Sequence, residues 1–147
     1  MPDFKNCLAS FRGHGLTFEY PDIWELTDTA DGQDRVITVL SDESCYWTLR
    51  LLKDCPSPDE VLDACVSVYK AEYDEIDVSN EEGRVSGMNA ICQELEFFCV
   101  DLPVNVSLTC VETSEFTALV LWQALAEELV TVRPMFDHMT QSLQLPS

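Results

Sequence analysis

Basic residues are scarce in this sequence: 8 lysines and arginines stand against 27 aspartates and glutamates, for a formal charge of −19. Such a field repels phosphate backbones, which argues against nucleic acid as a ligand, and it draws a basic partner inward. Long apolar runs are missing as well. None approaches the ~20 residues a membrane helix needs, so membrane insertion is not expected. The opening MPDFKNCLASFRGHG has no apolar stretch after its charges, so it does not read as a secretion signal, and Cys7 does not read as a lipid-anchor site. The expectation is a cytoplasmic protein. Histidine is represented only by His14 and His138, and there is no H-E-x-x-H, no G-x-S-x-G and no glycine loop that could cradle a phosphate. The 7 cysteines are odd in number and contain no C-x-x-C pair, so neither a disulfide framework nor a zinc site is expected. They read as small apolar residues.

What is present suits one domain. The chain has 147 residues, 46% of them hydrophobic and 10% aromatic, with no repeat and no linker that would divide it. A chain of this length hides roughly 70% of its extended-state surface on folding. The folded core is expected over residues 15–143, with soft ends at 1–12 and 144–147.

The stretch GLTFEYPDIWEL (15–26) sets the first corner. Leu16, Phe18 and Tyr20 alternate with Thr17 and Glu19 as a half-buried strand. Pro21 then removes a backbone donor and ends the ladder. Asp22 can close the turn, and Trp24 is the expected plug beneath it. DTADGQD (28–34) reads as a solvated hairpin loop; its aspartates do not follow the calcium-loop spacing. Strands are expected at 35–41 and 45–53 around the polar loop SDES. Ser57-Pro58-Asp59-Glu60 opens a helix with a capping box and proline at its first position. Val61, Leu62, Cys65, Val68, Tyr69 and Tyr73 form its apolar face.

Beyond that helix, 76–82 reads as a strand ending in a turn at Gly83. Residues 88–100 read as a long central strand whose Glu94 and Glu96 sit near the rim of a covering layer. A break is expected at Pro103. In VNVSLTC (104–110), Val104, Val106, Leu108 and Cys110 point in, while Asn105, Ser107 and Thr109 make an open, wet face. The sequon at Asn105 carries no weight without a secretion signal. A buried strand follows at 116–125, then a helix from about 127 to 143 striped by Leu129, Val132, Phe136, Met139 and Leu143. Pro134 should kink that helix or mark its true start. Hairpins with one helix in the middle and one at the end predict an α+β fold.

This order of parts resembles the superfamily that holds the PsbP subunit of photosystem II, the yeast Ran-binding import factor and the bacterial DcrB-like proteins. The residues that carry the resemblance are Gly15-Leu16-x-Phe18-x-Tyr20-Pro21-x-x-Trp24, Gly87-x-x-Ala90 and Phe136-x-x-Met139-x-x-Ser142-Leu143. The resemblance implies a three-layer α/β/α sandwich around an antiparallel sheet of about six strands. It implies binding rather than catalysis. One bacterial branch consists of small dimeric chaperones that shield apolar segments of secreted type VI effectors. The chain lacks the targeting segment of the photosystem subunits and the lipoprotein signal of DcrB, so no metal, chloride or Ran-contact residue is carried over.

Three functions compete. The first is a non-enzymatic interaction module, an adaptor or secretion chaperone whose partner is basic or carries an apolar segment; a homodimer is compatible with it. Nine acids and the single Lys70 lie between Asp59 and Glu82. The partner surface is therefore placed at Asp74, Glu75, Asp77, Glu81 and Glu82, with the open face of Asn105, Ser107 and Thr109. The second is a small-molecule or ion-binding domain with a pocket lined by Trp47, Trp122 and Phe136. The third, a thiol enzyme, needs a histidine within reach of a cysteine. No catalytic, cofactor or metal residue is assigned.

Overall fold

The computed structural model describes residues 7–41 and 45–146, so most of the predicted SDES loop lies outside the described residues. The elements run β1 (Leu8–Gly13), β2 (Leu16–Pro21), β3 (Glu25–Asp31), β4 (Asp34–Leu40), β5 (Tyr46–Leu52), α1 (Pro58–Glu72), β6 (Asp77–Val85), β7 (Met88–Cys99), β8 (Leu102–Glu112), β9 (Thr117–Leu125) and α2 (Ala126–Ser142). The fold is α+β. Seven strands form one antiparallel sheet in the order β3-β4-β5-β9-β8-β7-β6, and β1 with β2 forms a separate hairpin, which is larger than the six strands expected.

Strand alternation sorts the core into two clusters. Ala118, Val120, Trp122 and Ala124 of β9 join Trp47, Leu49 and Leu51 of β5 and the α2 residues Val132, Met135, Phe136 and Met139. The intervening β9 residues Leu119, Leu121 and Leu125 join Leu95, Phe97, Val104, Val106 and Leu108 with Val61, Leu62 and Val66 of α1. α1 packs on β8 and β7, whereas α2 packs on β9, β8 and the hairpin strand β2.

The opening corner forms at Pro21, which still pairs with Leu8, and the Asp22 N–H donates to the Cys7 carbonyl at 2.8 Å. The Trp24 N–H donates to the Pro21 carbonyl at 3.1 Å, and the Trp24 ring meets Phe136 edge-on at 5.6 Å. Ser57 caps α1 by accepting the Glu60 N–H at 3.3 Å. The resembling motifs have structural duties: Gly15 and Gly87 take φ of +79° and +78° in turns, and Ser142 Oγ accepts the Glu19 N–H at 2.9 Å.

Several expectations need correction. Residues 8–12, read as part of a soft end, lie in β1, where Ala9 and Phe11 pair with Tyr20 and Phe18. The 28–34 loop shrinks to Gly32-Gln33, with Gly32 at φ +64°, and the aspartates become strand residues. Gly83 lies within β6; the turn is Ser86-Gly87. Pro103 sits in β8 opposite Phe98, and the break is Val100-Asp101. Pro134 lies inside α2, exposed to solvent, and does not begin it. On α1, Val66 takes the buried position and Val68 faces solvent.

Candidate functional site

The predicted contact residues do not stay together. The register opposes Asp77 to Glu96 and Glu81 to Cys92, which puts Asp77 and Glu81 on the α2 side of the sheet with Glu94 and Glu96. Ser107 opposes Glu94 and Asn105 opposes Glu96, so the polar set of β8 shares that side. Glu82 opposes Ile91 and faces the α1 side instead. Asp74 and Glu75 are exposed in the connection from α1 to β6. The face of 104–110 is less wet than its alternation suggests: Thr109 is 9% exposed and Asn105 and Ser107 are half-buried, because α2 leans over β8.

Arg133 ties α2 to β7 on this side of the sheet. Arg133 grips Glu94 with two parallel bonds, Nη2 to Oε2 at 2.8 Å and Nη1 to Oε1 at 3.2 Å, and rests over the Trp122 ring at 5.3 Å. Its Nε lies 3.6 Å from Asp137. Burial pushes the Asp137 carboxyl up, Arg133 opposes this, and Glu94 adds to it. Beyond Arg133 the sheet carries Asp77, Glu81 and Glu96 exposed on strands β6 and β7, with β6 as the edge strand. Charges on such an edge also discourage uncontrolled strand pairing.

The end of the β7–β8 hairpin is unusual. β6 reaches along β7 only as far as Glu96, and β9 reaches along β8 only as far as Val104. The hairpin therefore projects past both neighbouring strands. It carries Phe98 at 68% exposure, Val100 at 89% and Leu102 at 49%. Its two-residue turn holds Val100 at φ +51° and Asp101 at +67°, the signature of a type I′ turn. That turn favours Asn, Asp and Gly; a left-handed conformation costs an ordinary L-residue about 1–2 kcal/mol, and β-branching makes Val100 a clear outlier. Sequence reading missed this tip by placing Val100 in a strand. The local hint is slight, a single Asp101 between Val100 and Leu102, with no glycine to mark the turn.

The thiols and histidines have other occupations. Burial raises the thiols of Cys65 and Cys92, and it pushes that of Cys110 up to about 12, which keeps it protonated and unreactive. His14 Nε2 lies 2.9 Å from Asp28, and His138 Nε2 lies 2.9 Å from Glu19. Both pairs fasten the β1–β2 hairpin to the rest of the fold. Among the described residues no three His, Cys, Asp or Glu side chains converge as metal ligands. No helix among them is long and apolar enough to cross a membrane. Trp47, Trp122 and Phe136, suggested above as a pocket lining, are packed in the core, with Trp47 Nε1 donating to Thr140 Oγ1 at 3.0 Å. A shallow cleft of about 390 Å³ lies elsewhere, over β3–β5, lined by Glu25, Thr27, Thr38, Leu40, Tyr46 and Thr48.

No protein-family model matches the sequence, and no curated protein matches it. Solved structures do. Cyanobacterial PsbP (CyanoP) from Synechocystis sp. PCC 6803 superposes with a TM-score of 0.63 at 18% identity, over 95% of this chain and 92% of that one. PA94 from Pseudomonas aeruginosa, a protein of unknown function for which a regulatory role has been suggested, gives 0.59 at 13% identity over 95% and 97%. LpqN of Mycobacterium tuberculosis, involved in cell envelope biogenesis, gives 0.53 at 15% identity over 97% and 94%. The chain has the PsbP/DcrB-like fold. At these identities the likeness extends to the fold alone.

Proposed function

We propose that this chain is a non-enzymatic protein-interaction module, an adaptor or secretion-chaperone-like protein of the cytoplasm, that uses its acidic surface to hold a partner. In this reading the large sheet is the middle of three layers, with α1 on one side and α2 plus the β1–β2 hairpin on the other. Each helix covers only part of its face. The observation that carries the reading is the acid-lined sheet beyond Arg133, where Asp77, Glu81 and Glu96 are exposed on the side α2 leaves open. The raised thiols of Cys65, Cys92 and Cys110 and the structural use of both histidines favour binding over thiol catalysis. The fold shared with CyanoP, PA94 and LpqN agrees with a non-catalytic role.

An affinity pull-down from the source organism's lysate, at low and high salt, tests the proposal. A partner retained at low salt and released at high salt supports it, since screening weakens exposed charge pairs. No specific partner at either salt contradicts it. A second reading, a small-molecule or ion-binding domain, is favoured by the cleft over β3–β5. A metabolite or divalent cation that raises the melting temperature, and ceases to do so in Tyr46→Ala, would support that reading instead.

A further inference from the structure

We propose that the projecting β7–β8 hairpin tip is the anchor of the interaction surface, and that it receives a cationic amphipathic segment of another protein, an apolar residue flanked by lysines or arginines. The inference rests on the interaction-module reading and gives it a surface and a partner chemistry. Phe98 shares the side of the sheet occupied by α2, Leu102 pairs with Cys99 on the α1 side, and Val100 stands at the apex. The tip is thus apolar on both faces and at its end, a wedge that projects past the pairing of β6 and of β9. Scattered apolar residues on a surface need no explanation, but a contiguous, protruding group marks a contact site. A strained β-branched residue at the apex of that group points the same way, because folding alone would favour asparagine or glycine there.

The surroundings select the partner. Asp77 and Glu96 stand where β6 ends beside the hairpin, and Asp74 and Glu75 lie in the connection just before it. That connection is held at the hairpin by Tyr73, whose ring stacks on Phe97 at 4.2 Å. Asp101 is in the turn, and Glu127 is in the first turn of α2, which begins where β9 stops. Among the described residues, none of Asp74, Glu75, Asp77, Asp101 or Glu127 forms an ion pair with a cation. Lys70, in the last turn of α1, is exposed. An apolar wedge with acids on the segments that adjoin it complements a segment that brings apolar and basic side chains together. The same acids repel a second copy of the chain and an anionic membrane surface.

Two fluorescent peptides of equal charge provide the test, an amphipathic lysine–leucine helix and a lysine–serine peptide, titrated by anisotropy. The wild type should bind the first about tenfold more tightly than the second, a difference of about 1.4 kcal/mol. Phe98→Ser with Val100→Asn should abolish that preference and leave the salt-sensitive binding of both peptides in place. Val100→Asn alone, which suits the turn, should halve the preference while keeping the protein folded. Equal binding of the two peptides by the wild type, or an unchanged preference in the variants, overturns the inference. So does sedimentation with phosphatidylcholine vesicles that depends on Phe98 and Val100, or a dimer in light scattering that they hold together. If the lysate partner is still captured by the double variant, the tip is not the anchor and the module reading stands. If no peptide binds and no partner is captured, both fail.

Discussion

Strand β7 is closed at each end by a two-residue turn with positive φ at both positions, yet the two turns are built on opposite principles. At one end stand Ser86 and Gly87, at +55° and +78°; at the other stand Val100 and Asp101, at +51° and +67°. The first is what hairpin geometry requires: glycine carries no Cβ to clash, and at Gly87 an added Cβ would meet nothing. The second places a β-branched side chain in the same conformation and leaves it almost fully in water. The first end is shaped by folding. The second gives up stability and gains no burial for it, which is the pattern expected where binding has shaped a turn.

The largest predicted effect separates neighbours at that second end. Phe97 is buried against Tyr73 and Tyr69, and Phe97→Ala should cost about 3–5 kcal/mol. Phe98→Ala, one residue along, should change stability by less than about 0.5 kcal/mol. Urea denaturation of both variants measures the gap, and equal losses would mean that Phe98 is core. Next, Gly87→Val imposes on the first turn the strain the second already carries and should cost about 1–2 kcal/mol by the same assay. Val100→Asn relieves that strain and should stabilise by about 1 kcal/mol, since the side chain it removes is exposed.

The smallest effect concerns a third turn of this type, His14-Gly15, pinned through His14 to Asp28. Burial acts to raise the Asp28 carboxyl, but hydrogen bonds from His14 and from Arg35 outweigh it and hold the group below its ordinary 3.8. A depressed acid stabilises the fold fully above its unfolded value and loses that contribution as pH falls through the folded one. Asp28→Asn should therefore flatten the fall in melting temperature on going from about pH 5 to pH 3. An unchanged acid limb would show that the pair contributes nothing there.

The corner around Pro21, the capping box at Ser57 and the stripe of α2 were legible in the sequence because each is a local rule acting within a few residues. Register was not. The acids of 74–82 read as one contiguous patch, but β6 alternates, so Glu81 and Glu82 part to opposite faces. Asn105, Ser107 and Thr109 read as wet because alternation reports polarity, and only the tertiary lean of α2 decides that Thr109 is buried. The tip escaped notice because Val100 obeys strand propensity and breaks turn propensity, and only pairing shows which rule prevailed.

The most direct measurement is capture of the lysate partner by three immobilised forms: wild type, Phe98→Ser with Val100→Asn at one end of β7, and Arg84→Ala beside the other. Arg84 donates to the Gly87 carbonyl and serves as the control at the Ser86 end. Loss of the partner from the first variant and retention by the second is the predicted result. Equal retention by both variants would contradict a binding role for the Val100 end, and an empty capture on the wild type would contradict the interaction module itself.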